Sequence, residues 1–588
     1  MSRRSPAATT PATAPRPRWT LAAALLLIAA AVLFAFAPAI SAGFLNWDDD
    51  YMFLRNTAYR GLSAAHLRWM FTTTHMGHYQ PLAWLSVALD YAAWGLSPRA
   101  FHVTNVALHA ATALLVFLLI RALLATRDAA PSPRDARLWP ALLGALLFAV
   151  HPLRVESVAW LTERRDVLSG LFFVAALLAY LRAVAPGRAE IAGRGAFAAS
   201  VLLTLLSLLS KAWGMALPFI MLLLDQYPLR RPGLWRGVVQ KWPLWLLAGG
   251  AALLAGRAQA SAGQGLLSLE THPLAQRAWQ SVYGVAYYPL RTLWPAALSP
   301  IYPLPESLHL ADRAVLIAAA CAAALSATAW LARRRCPAFT AAWLAYLVTI
   351  APVLGWAQSG WQLVADRYSY LACLPFAILA SAGLHALRPR GARLPTIGFA
   401  VVIIALLGWQ THAYARVWRS SRSLWLHALA RDPDNWIAHH NFAELLYQAG
   451  DFAGAAEHLQ RAVALHPASW RAWHDLGAAL DRMGRAADAE QAWLRVLPLT
   501  PERGRTLCEL GRLYVNQRRY DDAARVFEQA ARTSRLTELQ ARGHAGLGVV
   551  YRRQRRFADA VREFEQAQRL WPHLDWVEPE LHQARMER

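Results

Sequence analysis

The sequence predicts an all-α protein: a polytopic membrane domain of about eleven helical spans, followed by an α-solenoid of helical repeats. Apolar runs long enough to cross a bilayer recur over residues 19–415, and short arginine clusters separate them. Charged helical segments repeat with a period of about 34 residues over 436–574. Residues 416–435 are expected to link the two domains, and residues 575–588 to form a C-terminal tail.

The composition favours a membrane protein. Of the 588 residues, 56% are hydrophobic and only 16% are charged, and 26 are tryptophan. A net charge of +23 would suggest a nucleic-acid partner in a soluble protein. Here the arginines lie mostly in short clusters between apolar runs and in the C-terminal quarter, and the clusters between the runs are interpreted as topology signals. We therefore expect no nucleic-acid partner.

The N-terminal end is predicted to be a cytoplasmic tail followed by a retained span. Residues 1–18 are rich in Pro, Ala, Ser and Thr and contain four arginines, which predicts disorder. The apolar run over 19–42 is too long for the core of a cleaved signal peptide. The acidic residues after it are then expected outside, and the segment up to about Ala100 is expected to lie along the outer surface.

The other spans follow from the remaining apolar runs. The second span begins near Phe101, the third begins near Leu138, and the fourth ends at Arg182. Ser210-Lys211 separates the fifth span from the sixth, and the seventh covers about 243–256. The eighth span ends at Arg333, the ninth near Trp356 and the tenth by Arg388, and the eleventh covers about 394–411. A mixed stretch over 261–310 is expected to contain a re-entrant or interfacial helix near 283–298. Arginine clusters such as Arg127, Arg134 and Arg188 fall in the proposed inside loops. Because the number of spans is odd and the N-terminus is inside, the repeats are placed outside.

The C-terminal pattern resembles the tetratricopeptide repeat, with about four copies. Leu-Gly pairs recur in register, followed by alanines and bulky residues at fixed positions; they are Leu476-Gly477, Leu510-Gly511 and Leu547-Gly548. Small residues let paired helices approach closely, and large ones fill the groove between them. The pattern predicts a solenoid with a concave binding face.

The acidic triplet Asp48-Asp49-Asp50 follows the first apolar run directly. Neighbouring carboxylates near lipid have raised pKa values unless a cation or hydrogen bond stabilises the charged form. Such a perturbed carboxylate is a candidate general base. The alternative is that the acids cap a helix or lie solvated beyond it.

A series of short motifs, in this order, resembles one known family. The motifs are Trp47-Asp48-Asp49 with Asn56; Tyr79-Gln80-Pro81-Leu82; Phe101-His102 with Asn105 and His109; His151-Pro152 with Glu156-Ser157; Arg165-Asp166; Ser210-Lys211 with Gly214 and Pro218; and Asp366-Arg367-Tyr368-Ser369-Tyr370-Leu371. Together with the topology they resemble a bacterial member of the transmembrane and tetratricopeptide-repeat family of C-type glycosyltransferases. At Gln80 the animal branch of that family tends to have a basic residue.

The resemblance implies an enzyme that moves a sugar from a polyprenyl-phosphate carrier to a protein hydroxyl at the extracytoplasmic face of the bacterial inner membrane, with mannose the family's commonest donor sugar. It implies Asp48 as the first choice for the base, with Asp49 second, and repeats that bind the acceptor polypeptide. Asp166 with Arg165 is expected to take part, alternatively as an interfacial ion pair. A glycan ligase or polymerase, and a non-catalytic membrane-anchored scaffold, are the alternative functions.

Four further side chains are candidates for substrate binding. Lys211 lies in a very short connection between apolar runs, so it either binds phosphate or snorkels. Arg367 is a second phosphate candidate, alternatively an internal salt bridge, and Glu156 belongs to the predicted acidic outside loop. His102 shares a helical face with Asn105 and His109, which predicts either a cavity lining or polar contacts between spans. We predict no metal site, cofactor or disulfide framework, and a metal requirement is left open.

Overall fold

The computed structural model describes residues 19–126, 137–185, 187, 189–261, 267–358, 360–387 and 390–588. The predicted tail at 1–18 lies outside these ranges, as do Arg127, Arg134, Arg188 and Arg388. The chain divides into two compact units, Met1–Leu424 and Trp425–Arg588. Both are helical, which confirms the predicted all-α class.

In its described part, the first unit contains a long series of α-helices. They are α1 (Trp19–Ile40), α2 (Ala64–Thr72), α3 (Pro81–Trp94), α4 (Pro98–Ala125), α5 (Leu138–Ala149), α6 (Val155–Ala159), α7 (Arg164–Ala183), α8 (Glu190–Ser210), α9 (Leu217–Gln226), α10 (Leu234–Gln240), α11 (Trp242–Ser261), α12 (Leu274–Leu293), α13 (Arg313–Ala332), α14 (Pro337–Ile350), α15 (Ser369–Ala372), α16 (Leu374–Ala386) and α17 (Arg390–Ala415). Strands β1 (Tyr302–Pro303) and β2 (Gln362–Val364) pair antiparallel.

Six helices in the described ranges are long and apolar enough to cross a membrane: α1, α4, α7, α8, α13 and α17. Three bent pairs, α5 with residues 152–159, α10 with α11, and residues 366–372 with α16, raise the number to nine if each pair is one span. Two shorter apolar helices cover Ala212–Gln226 and Pro337–Val353. These elements correspond to the eleven predicted apolar runs, and the chain is a multi-pass membrane protein.

The segment between the first two spans folds as two shorter helices. α2 and α3 have 9 and 14 residues, fewer than the roughly 20 that a bilayer requires. Pro81 is the first residue of α3, where a missing amide hydrogen leaves no helical bond unmade. α4 also begins with a proline, after Ser97, whose side chain accepts a hydrogen bond from the Ala100 amide (3.5 Å).

The second unit consists of four consecutive helix pairs and a final helix. They are α19 (Trp436–Gln448) with α20 (Phe452–Leu465), α21 (Trp470–Arg482) with α22 (Ala486–Val496), α23 (Gly504–Asn516) with α24 (Tyr520–Thr533), α25 (Thr537–Arg553) with α26 (Phe557–Leu570), and α27 (Val577–Met586). The segment expected as a linker contains a 3-10 turn and helix α18 (Ser421–Arg431). In the segment expected as a tail, α27 buries Val577 and Leu581 in the last hydrophobic cluster.

Glycines of the repeats lie where large side chains from the neighbouring helix pack. A Cβ on Gly511 would lie 2.5 Å from Phe527 Cζ. We expect Gly511→Ala to destabilise the third repeat by about 1–3 kcal/mol, because Phe527 is itself packed in the core and has little room to move. Amide hydrogen exchange of α23 and α24 in the full chain measures this, with the exposed Arg553→Ala as the control. Unchanged protection would contradict the packing argument.

Candidate active site

The loop after α1 is held in place by Asp49. This side chain is fully buried, and its carboxylate accepts hydrogen bonds from the Leu45 amide (3.0 Å), the Thr162 amide (3.1 Å) and the Thr162 hydroxyl (2.7 Å). Burial raises the pKa of Asp49 to about 7, although these donors oppose the shift. Through these hydrogen bonds, Asp49 links the loop after α1 to Thr162, which directly precedes Glu163.

Asp48 lies in a different environment. Its backbone has φ 65°, a left-handed conformation that aspartate tolerates better than most residues, and its side chain is half-buried. Burial raises the pKa of Asp48 to about 6; the charges of Arg165 and Arg367 lower it, and that of Glu163 raises it. Asp48 is therefore a carboxylate near two cations, with a pKa close to neutral pH.

Three indole rings pack around this loop. Trp47 stacks on Trp160 with ring centroids 4.7 Å apart, and Trp418 lies 6.2 Å from Trp47. The Trp160 ring nitrogen donates to the Trp47 carbonyl (2.9 Å), and the Arg367 guanidinium lies 5.5 Å from the Trp160 ring centroid. The aromatic cluster thus ties the acidic loop to both α6 and the arginine of the later motif.

Glu163 is the centre of a buried charge network. It is fully buried, and it accepts from Arg165 Nη2 (2.8 Å), from Lys211 Nζ (2.7 Å) and, at 3.4 Å, forms an ion pair with Arg367 Nε. One carboxylate therefore orients all three cationic side chains that the sequence analysis selected.

Two further carboxylates complete the network. Asp166 forms an ion pair with Lys211 (2.7 Å) and accepts from Trp213 (2.6 Å) and Ser157 (3.1 Å). Glu156 accepts from the backbone amide of Arg367 (2.8 Å) and pairs with its guanidinium. Three carboxylates thus balance three cations. The predicted Arg165–Asp166 partnership is indirect, since Arg165 donates to Glu163.

A second buried ion pair, between Arg164 and Asp90, lies next to this network. Arg164 Nη2 donates to Asp90 (2.7 Å) and to the Phe101 carbonyl (2.7 Å), and Nη1 donates to Ser86 (2.9 Å). Arg164 also bonds to Asn105. The contacts join α3, α4 and α7 immediately beside Arg165. Sequence reasoning missed this role of Arg164, although an arginine pair at a helix start was visible.

Asp366, which precedes Arg367, is held by tyrosines that sequence reasoning also missed. Tyr287 OH donates to Asp366 Oδ1 (2.9 Å), and Tyr302 OH lies 3.2 Å from the same oxygen. The aspartate itself is fully buried. These tyrosines come from α12 and β1, far from Asp366 in sequence, so no local spacing could have indicated them.

The predicted histidines lie apart from the charge network. His102 is almost fully buried, with its ring beside the Gly43 backbone. His109 bridges the Tyr370 hydroxyl (2.9 Å) and the Ala149 carbonyl (2.9 Å). His109 thus makes the polar contact between helices that was the alternative to lining a cavity. Within the described ranges, no three His, Cys, Asp or Glu side chains lie close enough to hold a metal ion.

Arg165 and Lys211 line a cavity of about 320 Å³. Its other polar lining residues are His78, Tyr79, Gln80 and Gln259, and the rest of its wall is apolar side chains, alanines and glycines of α8 and α11 with Ala212 and Gly77. Lys211 is 20% exposed, whereas Glu163 and Asp166 are fully buried. An ammonium group has three donors, and these two carboxylates occupy two of them. The cavity combines cationic donors with a hydrocarbon-like wall.

Comparison with known proteins finds repeat families and protein O-mannosyl-transferases to which this chain is similar. Tetratricopeptide repeat profiles match residues 446–507 and 508–575. Protein O-mannosyl-transferase tmtc2 of Xenopus laevis is 38% identical over 117 residues, which are 19% of this chain and 13% of that protein. Protein O-mannosyl-transferase TMTC1 of Homo sapiens is 31% identical over 178 residues, 28% of this chain and 19% of that protein.

Among solved structures, the crystal structure of ArnT from Cupriavidus metallidurans bound to undecaprenyl phosphate is 17% identical, with a TM-score of 0.35 over 82% of this chain and 81% of that one. The matched part of this chain thus spans less than a fifth of the length of each of the two O-mannosyl-transferases.

Proposed function

We propose that this chain is a membrane glycosyltransferase that uses a polyprenyl-phosphate sugar as donor. It is related to the transmembrane and tetratricopeptide-repeat family of C-type glycosyltransferases. The acceptor is a protein hydroxyl on the extracytoplasmic face of a bacterial inner membrane, and mannose is the first sugar to test. The names of the relatives support a protein acceptor and mannose as the sugar. The residues of the site support the proposed chemistry.

The observation that carries the proposal is the amphipathic cavity bordered by Lys211 and Arg165. A polyprenyl-phosphate sugar has a long apolar chain, one anionic phosphodiester and a polar sugar. The leucine-rich wall suits the chain, and the cationic donors suit the phosphate through charge-assisted hydrogen bonds. Glu163 and Asp166 hold Lys211 at the cavity wall before the donor arrives.

The reaction requires one proton to be removed and one anion to be stabilised. The acceptor oxygen attacks the anomeric carbon, its proton passes to the Asp48 carboxylate, and the bond from that carbon to the phosphate oxygen breaks. The electron pair leaves with the polyprenyl phosphate, whose added negative charge Lys211, Arg165 and Arg367 stabilise. Asp49, Glu156 and Asp166 position these groups, since each is already bonded to its neighbours.

Sugar transfer in membranes tests the proposal. Membranes containing the wild type or Asp48→Asn are supplied with labelled polyprenyl-phosphate sugars and a periplasmic protein extract. We expect label in protein with the wild type alone. Label in polysaccharide would favour the ligase or polymerase alternative. Equal signals from both forms, or none with any donor, would favour the scaffold, in which only the repeats bind partners.

The pH dependence of transfer should follow Asp48. Only the carboxylate form accepts a proton, and burial raises the pKa of Asp48 to about 6. Lowering the pH through this value therefore removes the base, and kcat/KM should fall to roughly a tenth one unit below it. Rates measured from pH 4.5 to 8 at fixed ionic strength check this. A midpoint near 7 would instead assign the titration to Asp49, and a flat profile would contradict both assignments.

A further inference from the structure

One buried side chain in the cavity wall has no role in the mechanism above. Gln80 is 2% exposed, and neither its amide nitrogen nor its amide oxygen has a hydrogen-bond partner among the described residues. Its backbone carbonyl accepts from the Trp84 amide at the start of α3, but its side chain does not cap the helix. A buried primary amide without a partner costs free energy, so such groups are normally paired.

The position of Gln80 points to a ligand as the missing partner. It lines the same cavity as Arg165 and Lys211. The preceding segment is fixed on its other side, since Gln259 Nε2 of α11 donates to the Gly77 carbonyl (3.1 Å) and lies 3.5 Å from His78 Nδ1. Backbone hydrogen bonds at Gly77, before Gln80, and at Trp84, after it, therefore hold Gln80 in the cavity wall.

The chemistry of an amide selects among the parts of a lipid-linked sugar. A phosphate oxygen only accepts hydrogen bonds, so it would pair the Gln80 nitrogen and leave the carbonyl unpaired. A prenyl chain would leave both unpaired. A sugar hydroxyl both donates and accepts, and two neighbouring hydroxyls can pair with the two ends of one amide.

The neighbouring side chains are consistent with a neutral ligand next to the cations. Burial, with the charges of Arg165 and Lys211, holds the pKa of His78 well below its usual value, so the ring is neutral at physiological pH. Tyr79 and Gln259 are the other uncharged polar residues in the wall. The cavity thus has both cationic and neutral hydrogen-bonding groups, as a phosphate joined to a sugar requires.

We propose that Gln80 binds a pair of hydroxyl groups on the donor sugar and so contributes to the choice of sugar. This inference rests on the proposed function for the presence of a sugar, and it adds the group that recognises it. Removing the amide should weaken sugar recognition without weakening phosphate binding, because the cations are untouched.

Equilibrium binding tests the inference independently of transfer. The full chain in nanodiscs is titrated with polyprenyl-phosphate mannose, glucose and galactose, and with polyprenyl methyl phosphate, which has the same charge but no sugar. We expect the wild type to bind its preferred sugar donor about tenfold more tightly than the methyl ester. Gln80→Leu should bind the two equally, whereas the exposed Gln240→Leu should behave as the wild type.

Gln80→Met is the second variant, because it keeps nearly the size of the side chain but has neither the N–H donor nor the carbonyl acceptor. It should also lose the preference. A wild type that does not distinguish the sugar donors from the methyl ester would overturn the inference, as would a Gln80→Leu protein that keeps the tenfold preference. If the preference depends on Gln80 but no label reaches any acceptor, the inference stands and the proposed transfer reaction fails.

Discussion

Replacing Asp48 with asparagine is expected to lower kcat for sugar transfer by about 10³-fold, within the range typical of general-base catalysis. Asparagine has almost the same size, but its amide cannot take the proton of the acceptor hydroxyl. The donor Kd should not rise, because the substitution removes a negative charge close to Arg165 and Arg367. A loss in kcat with an unchanged or lower donor Kd would separate loss of the base from loss of the binding site.

The neighbouring carboxylate provides the control. Asp50 lies 3.4 Å from Arg55, whose side chain is 57% exposed, and it belongs to the short π-helix Asp50–Leu54. Asp50→Asn changes the charge of the same triplet by the same amount, and it should retain transfer within about threefold. If both substitutions abolished transfer equally, the charge of the loop as a whole, and not proton transfer by Asp48, would explain the loss.

Replacing Glu163 with glutamine is expected to affect both stability and activity strongly. The substitution keeps the shape but leaves three cations around a neutral amide, which has one acceptor oxygen and a nitrogen that only donates. Removing one partner of a buried ionic network costs about 3–5 kcal/mol. The donor Kd should rise as well, since Arg165, Lys211 and Arg367 lose the carboxylate that orients them.

An exposed ion pair on α8 gives the matched control for Glu163→Gln. Glu190 lies 2.6 Å from Arg194, and both side chains are more than three-quarters exposed. Glu190→Gln should change stability by no more than about 1 kcal/mol, as is usual for surface pairs. Thermal unfolding in nanodiscs and donor titration measure the two effects. A Glu163→Gln protein with wild-type stability and donor affinity would show that the network is dispensable.

Much of the fold could be predicted because periodicity and apolar run length are local properties. The eleven apolar runs correspond to helices or bent helix pairs, and the period of about 34 residues predicted the four helix pairs of the second unit. The tail at 575–588 was predicted less well. Its three buried apolar residues, Val577, Leu581 and Ala584, have helical spacing, but ten residues at the end of a chain show too few turns for a pattern.

The candidate site could be predicted only in part, because its geometry depends on distant contacts. The motifs selected Asp48, Lys211 and Arg367, which the structure brings near a common carboxylate. Nothing in the sequence showed that Glu163 is that carboxylate. The unpaired amide of Gln80 is likewise visible only in three dimensions, since its lack of a partner depends on every residue around it.

The acidic loop after α1 receives two of its backbone contacts from the segment that follows α17, at the 3-10 turn and the first residue of α18. The Gly43 amide donates to the Arg419 carbonyl (3.1 Å), and the Asn46 amide donates to the Ser421 hydroxyl (2.9 Å), a partner 375 residues away. During synthesis, therefore, the loop that carries Asp48 gains these partners only after α17, which lies between them and the loop in sequence, has left the ribosome. A nascent chain that does not yet extend to Arg419 and Ser421 lacks them, so the order of translation itself delays assembly of the site.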